Sequence, residues 1–143
     1  MTDYSSLPNI ALVQMEVHAA RPDLNAARMK RHIDAARQRG AEVIVFSELC
    51  LSGYIIGDLW EVDSLVRDFA AYSDEIRAAS EGVTVLFGNV AVDEDGSGGI
   101  AEDGRLRKYN AVFVCHDGRY VLREAGIPAG LPTYIQPKTL HPN

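Results

Sequence analysis

The sequence predicts an α/β fold, and three observations carry the prediction. Residues 10–14, IALVQ, form a short, largely apolar run followed by a polar stretch. Residues 22–39 repeat apolar side chains at helical spacing, and residues 43–46, VIVF, form a second apolar run too short for a helix and rich in β-branched side chains. Two buried strands joined by a helix imply a parallel pair, because an antiparallel pair needs only a tight turn.

The first run reads as a buried opening strand. In the helix that follows, Ala26, Met29, Ile33 and Ala36 share one face, Asp23 and Asn25 place negative or polar groups near the start, and Gly40 supplies a stop. Residues 47–54, SELCLSGY, leave the carboxyl end of the second strand, the edge at which open α/β sheets place ligands. Val62, Leu65, Val66, Phe69, Tyr72 and Ile76 fall on one face of a second helix over 62–79, and residues 83–92 give a third strand. Residues 93–107 are acidic and glycine-rich, a connector by composition. Residues 109–115 and 119–122 flank Asp117-Gly118, which predicts a tight β-hairpin. After Gly126 the sequence turns irregular, with four of its six prolines between Pro128 and Pro142. The order β-α-β-α-β-β supplies few layers to cover its sheet, so a C-terminal half, a partner subunit or both are expected to cover it.

A chain of 143 residues, 47% hydrophobic and 24% charged, reads as one soluble globular unit rather than a disordered or membrane segment. The formal charge of −6 argues against a broad cationic surface for nucleic acid or anionic lipid. No apolar run approaches the roughly 20 residues that span a bilayer, and MTDYSSLPN at the start lacks a basic stretch leading into an apolar one. A cytoplasmic protein without membrane or nucleic-acid partners is the expectation. Cys50 and Cys115 are too few for a disulfide framework and read as free thiols.

Glu48 is the first candidate for chemistry. It follows a strongly apolar strand and precedes a turn ending in Gly53-Tyr54. A partly dry strand end disfavours the charged form of a carboxylate, which suits proton transfer, although position alone more often marks a solvated carboxylate.

The surrounding run is more specific. Residues 43–54, VIVFSELCLSGY, resemble the nitrilase-superfamily signature of a hydrophobic strand followed by x-Glu-Leu-x-x-x-Gly-Tyr, in which the glutamate is the general base. Residues 10–14 look like that family's opening strand. Residues 56–60, IGDLW, are similar to the run that follows the glutamate in glutamine-dependent NAD synthetases. Many members carry proline where this chain has Ser47, a difference in backbone stiffness more than in chemistry. Near the end, residues 137–143, PKTLHPN, resemble the family's lysine segment, so Lys138 corresponds to the lysine that stabilises the oxyanion. Residues 107–114, RKYNAVFV, resemble the Tyr-Asn element that precedes that lysine; Asn110 is expected to tie backbone groups at a strand entrance and is not expected to be catalytic. The resemblance spans nearly the whole chain in the family's order.

The resemblance implies an α-β-β-α sandwich that pairs with a second copy, of which residues 1–143 supply the N-terminal part. It implies an amidase in which a cysteine thiolate attacks a carboxamide, here glutamine, with Tyr54 a candidate for the substrate pocket. The nucleophile is expected on a strand beyond the lysine segment, outside these 143 residues, so the chain by itself is expected to be inert. Cys50, two residues from Glu48, would share its face at about 7 Å if the strand continued, but a buried thiol there reads as packing, and Cys115 still more so. No cofactor is implied for the hydrolase; ATP and Mg enter only if a synthetase domain is present in the complete protein. His18, His32, His116 and His141 lack metal-ligand spacing, and no phosphate-binding glycine loop occurs. Another nitrilase-superfamily amidase and a non-catalytic half-domain acting through a partner are the alternatives.

Overall fold

The computed structural model describes residues 5–92, 104 and 106–121, together with the backbone of 134–136. Strand β1 (Ile10–Leu12) leads through helix α1 (Pro22–Gln38) to β2 (Val43–Val45). A 3-10 turn (Gly57–Glu61) and two short helices, α2 (Asp63–Ala71) and α3 (Ser73–Ala79), precede β3 (Thr84–Val92). Then come β4 (Lys108–His116), β5 (Arg119–Tyr120) and β6 (Tyr134–Gln136). β1, β2 and β3 pair in parallel, β4 runs antiparallel to β3, and both β5 and β6 pair with β4.

Helix α1 follows the spacing of its apolar residues: Ala26, Met29, Ile33 and Ala36 are its buried apolar stripe. Pro22 opens it with a preset φ, and Gly40, at φ +80°, carries the chain out beyond it. Asn25 departs from the expected role of a polar residue near the helix start. It is fully buried; its Nδ2 donates to the carbonyls of His18 and Leu51 at 2.8 Å each, and its Oδ1 accepts from His18 N–H at 2.9 Å. One side chain thus ties the loops after β1 and β2 to the helix between them, satisfying backbone groups that burial would otherwise leave unpaired.

The single helix expected over 62–79 is broken at Tyr72. Asn89 of β3 donates through Nδ2 to the Phe69 carbonyl (2.8 Å) and to Ser73 Oγ (2.9 Å). Phe69 O is the acceptor a continuous helix would offer to the Ser73 amide, so a side chain inserted into the ladder marks the break.

The hairpin forms as Asp117-Gly118 predicts, with φ of 50° and 76° at its two central residues. The opening strand is shorter and less buried than expected. It lies at the sheet edge, and Ile10 and Leu12 are 58% and 78% exposed. The cause is one-sided coverage. Across β1 to β4 the row Ala11, Ile44, Val85 and Cys115 faces the core containing Met29, Ile33 and Ile76, whereas the next row, Leu12, Val45, Leu86 and Val114, is exposed or half-buried. Among the described residues, α1 and α3 line one face of the sheet, whereas α2 packs Val66 and Phe69 with Leu49 and Val90 near the end of β3. Lys138, nearly all of the 93–107 connector and the proline-rich tail lie outside the described side chains.

Phe87 is 1% exposed and stacks on Phe113 with ring centroids 5.1 Å apart. Phe87→Ala is expected to cost about 3–5 kcal/mol, because the cavity collapses only in part. A urea midpoint within error of wild type would contradict the placement of this pair in the core.

Candidate active site

Beyond β2 the chain stays against β3 for a few more residues. Phe46 N–H donates to Leu86 O (2.8 Å), Gly88 N–H to Ser47 O (3.2 Å), and Cys50 N–H to Gly88 O (3.0 Å). Between these bonds the Glu48–Leu49 backbone comes so close to β3 that a Cβ on Gly88 would lie 2.5 Å from Leu49 N and 2.7 Å from Glu48 Cα. Only glycine fits without displacing backbone. Leu49 then takes φ +46°, a left-handed conformation uncommon for a bulky residue, and buries its side chain against Ile56, Trp60, Val66, Phe69 and Val90. A bond from Gly53 N–H to Leu49 O (2.8 Å) closes the turn. Gly53 itself sits at φ +84°, where a Cβ would come 2.9 Å from Ala19 Cα, which explains the glycine in Gly53-Tyr54.

This turn delivers the exposed Glu48 to the less-covered face of the sheet. Its Oε1 accepts a hydrogen bond from Asn110 Nδ2 of β4. The two residues line a shallow cavity of about 360 Å³ with Ser47, Leu86, Gly88 and Val112. A carboxylate at the end of a parallel strand, beside an apolar floor open enough to admit a small substrate, can exchange a proton with a bound group.

The other residues singled out from the sequence are placed differently. Cys50 does not share a face with Glu48, because the chain turns at Leu49 instead of continuing as a strand. Its Sγ lies 3.7 Å from Met29 Sδ and 3.4 Å from Gly88 O within the core, and burial pushes the thiol up to about 12. Cys115 is likewise buried, and burial raises its thiol to about 12. Tyr54 is 62% exposed and does not line the cavity with Glu48. Asn110, expected to hold backbone, instead holds the Glu48 carboxylate. For Gly88 the sequence signal is a glycine inside an otherwise apolar strand, and Asn89 carries no comparable signal. Among the described residues no group of three or more His, Cys, Asp or Glu is arranged to hold a metal ion.

The profile of the carbon-nitrogen hydrolases matches residues 9–125, and the chain belongs to that family. Within the family it is similar to glutamine-dependent NAD(+) synthetases. It is 28% identical over 109 residues to that of Acinetobacter baylyi, covering 76% of this chain and 18% of that protein. It is 34% identical over 107 residues to that of Thermotoga maritima, covering 70% of this chain and 16% of that protein. The crystal structure of a glutamine-dependent NAD(+) synthetase from Cytophaga hutchinsonii superposes with a TM-score of 0.66 at 22% identity, over 78% of this chain and 17% of that one. The nitrilase-type α/β fold is thus the one expected. The chain spans less than a fifth of the length of the curated relatives it matches.

The two buried thiols give a direct check on which cysteines can act. Thiolate is the reactive form, so a thiol at about 12 is ionised to only about one part in ten thousand at pH 8. Iodoacetamide followed by peptide mass mapping should leave Cys50 and Cys115 unmodified in the native protein at pH 7–8 and label both after denaturation. Labelling of native Cys50 at the rate of a free thiol would contradict its burial.

Proposed function

We propose that residues 1–143 form the N-terminal portion of a glutaminase domain that releases ammonia from glutamine for NAD synthesis in the complete protein. The observation that carries this reading is Glu48, held on the less-covered sheet face beside a small cavity, within a chain whose curated relatives are glutamine-dependent NAD(+) synthetases. The nitrilase-superfamily pattern supplies the other two roles: Lys138 for the oxyanion, and a cysteine on a strand of the remaining domain.

In this mechanism Glu48 takes the thiol proton as sulfur bonds to the amide carbon, and the tetrahedral oxyanion is stabilised by the Lys138 ammonium. The C–N bond breaks as Glu48 returns that proton to the leaving nitrogen, giving ammonia and a thioester. Water then adds to the thioester with Glu48 accepting its proton; the C–S bond breaks, the proton passes to sulfur, and glutamate leaves. Cys50 and Cys115 cannot replace the nucleophile, since both are buried and held as thiols. The 143 residues without the cysteine strand are therefore inert. ATP and Mg enter only if a synthetase domain is present in the complete protein. The less-covered sheet face is where the rest of the sandwich packs, and pairing of two such domains completes the assembly.

In the complete protein, Glu48→Gln should lower kcat for ammonia release from glutamine by about 10²–10⁴. Lys138→Ala should lower it by about 10²–10³, as for loss of an oxyanion donor. Full activity in the Glu48→Gln protein would refute the assignment. Hydrolysis of aliphatic amides with none of glutamine would move the protein to another branch of the family.

A further inference from the structure

We propose that Asn110 is a positioning residue that fixes the Glu48 carboxylate for proton transfer; the inference rests on Glu48 being the proton-transfer group. Glu48 is exposed and stands on a turn, so its freely rotating side chain would sample many orientations at a cost in rate. Asn110 comes from a different kind of element. It lies within β4, opposite Val90 of β3 on one side and Gln136 of β6 on the other, so its backbone is held from both edges. From that fixed point its Nδ2 donates to Glu48 Oε1, a contact between residues 62 apart in sequence.

The chemistry of an amide suits this task. A carboxylate that takes a proton on one oxygen keeps a carbonyl on the other, and a carbonyl still accepts from an N–H. The Asn110 contact through Oε1 therefore persists in both protonation states, while the second oxygen receives the proton and returns it. An arginine or lysine in the same place would favour the charged carboxylate and oppose proton uptake. Asn110 thus sets the direction of the carboxylate without fixing its charge. Gly88 acts beneath it by letting the Glu48 backbone approach β3 closely enough for the two side chains to meet.

The test is a double-mutant cycle in the complete protein, with ammonia release from glutamine as the readout and the urea midpoint as a check on folding. Asn110→Ala should lower kcat about 10- to 100-fold while KM changes less than about threefold, as for a misplaced catalytic group. In a Glu48→Gln background the same change should cost less than about twofold, because there is no proton-transfer group left to position. The isosteric Asn110→Asp places a like charge against Glu48 and should move the acidic limb of the kcat/KM profile to higher pH, an effect that a purely structural residue would not produce. Full kcat in the Asn110→Ala protein, an undiminished loss in the Glu48→Gln background, or an unmoved acidic limb in Asn110→Asp would overturn the inference. Absence of glutaminase activity in wild type, or full activity in Glu48→Gln, would instead overturn the reading of the site on which it rests.

Discussion

The approach of the Glu48–Leu49 backbone to Gly88 is the constraint on which the site depends. Paired strands ordinarily accept side chains because these project to the two faces of the sheet, but here the segment leaving β2 comes within a distance that no Cβ at position 88 would tolerate. That approach is stabilised by the two backbone bonds of Gly88, one to Ser47 and one from Cys50. The chain can then reverse at Leu49, sending Cys50 into the core and leaving Glu48 on the opposite side. A residue with a side chain at 88 would separate the layers and move the carboxylate away from Asn110.

The turn would be weak if it depended on this contact alone. Leu49, Ile56 and Trp60 bury with Val66, Phe69 and Val90 as a second apolar cluster, and Trp60 meets Phe69 edge-on at 6.2 Å. Buried Lys108 bonds the Trp60 carbonyl and lies 4.0 Å from Glu61, joining the 3-10 turn to the strand that carries Asn110. Asn25 holds the same loop from the other side through Leu51 O. The long stretch between β2 and α2 is therefore tied at several points to rigid elements. These contacts hold the unfavourable φ of Leu49 in place.

Features with a local cause were legible in the sequence. The buried stripe of α1 follows from spacing, and the hairpin follows from Asp117-Gly118. Glu48 could be singled out because the apolar strand, the turn and Gly53 are contiguous. The rest depends on distant partners. The break at Tyr72 is made by Asn89, a residue from β3, and nothing in the periodicity of residues 62–79 announces it. Exposure of Ile10 and Leu12 depends on which layers cover the sheet, which the strand itself does not encode. The partner of Asn110 lies 62 residues away, and its amide could equally have served backbone. Gly88 was visible as a glycine in a strand, but its reason is the backbone of another segment. Lys138 lies outside the described residues.

Gly88→Ala in the complete protein, measured for the urea midpoint and for ammonia release from glutamine, is the most direct test. A lower midpoint and a loss of kcat are expected together, because the added methyl must displace backbone at Glu48 and Leu49. A protein with an unchanged midpoint and unchanged turnover would show that the close approach does not determine where the glutamate lies.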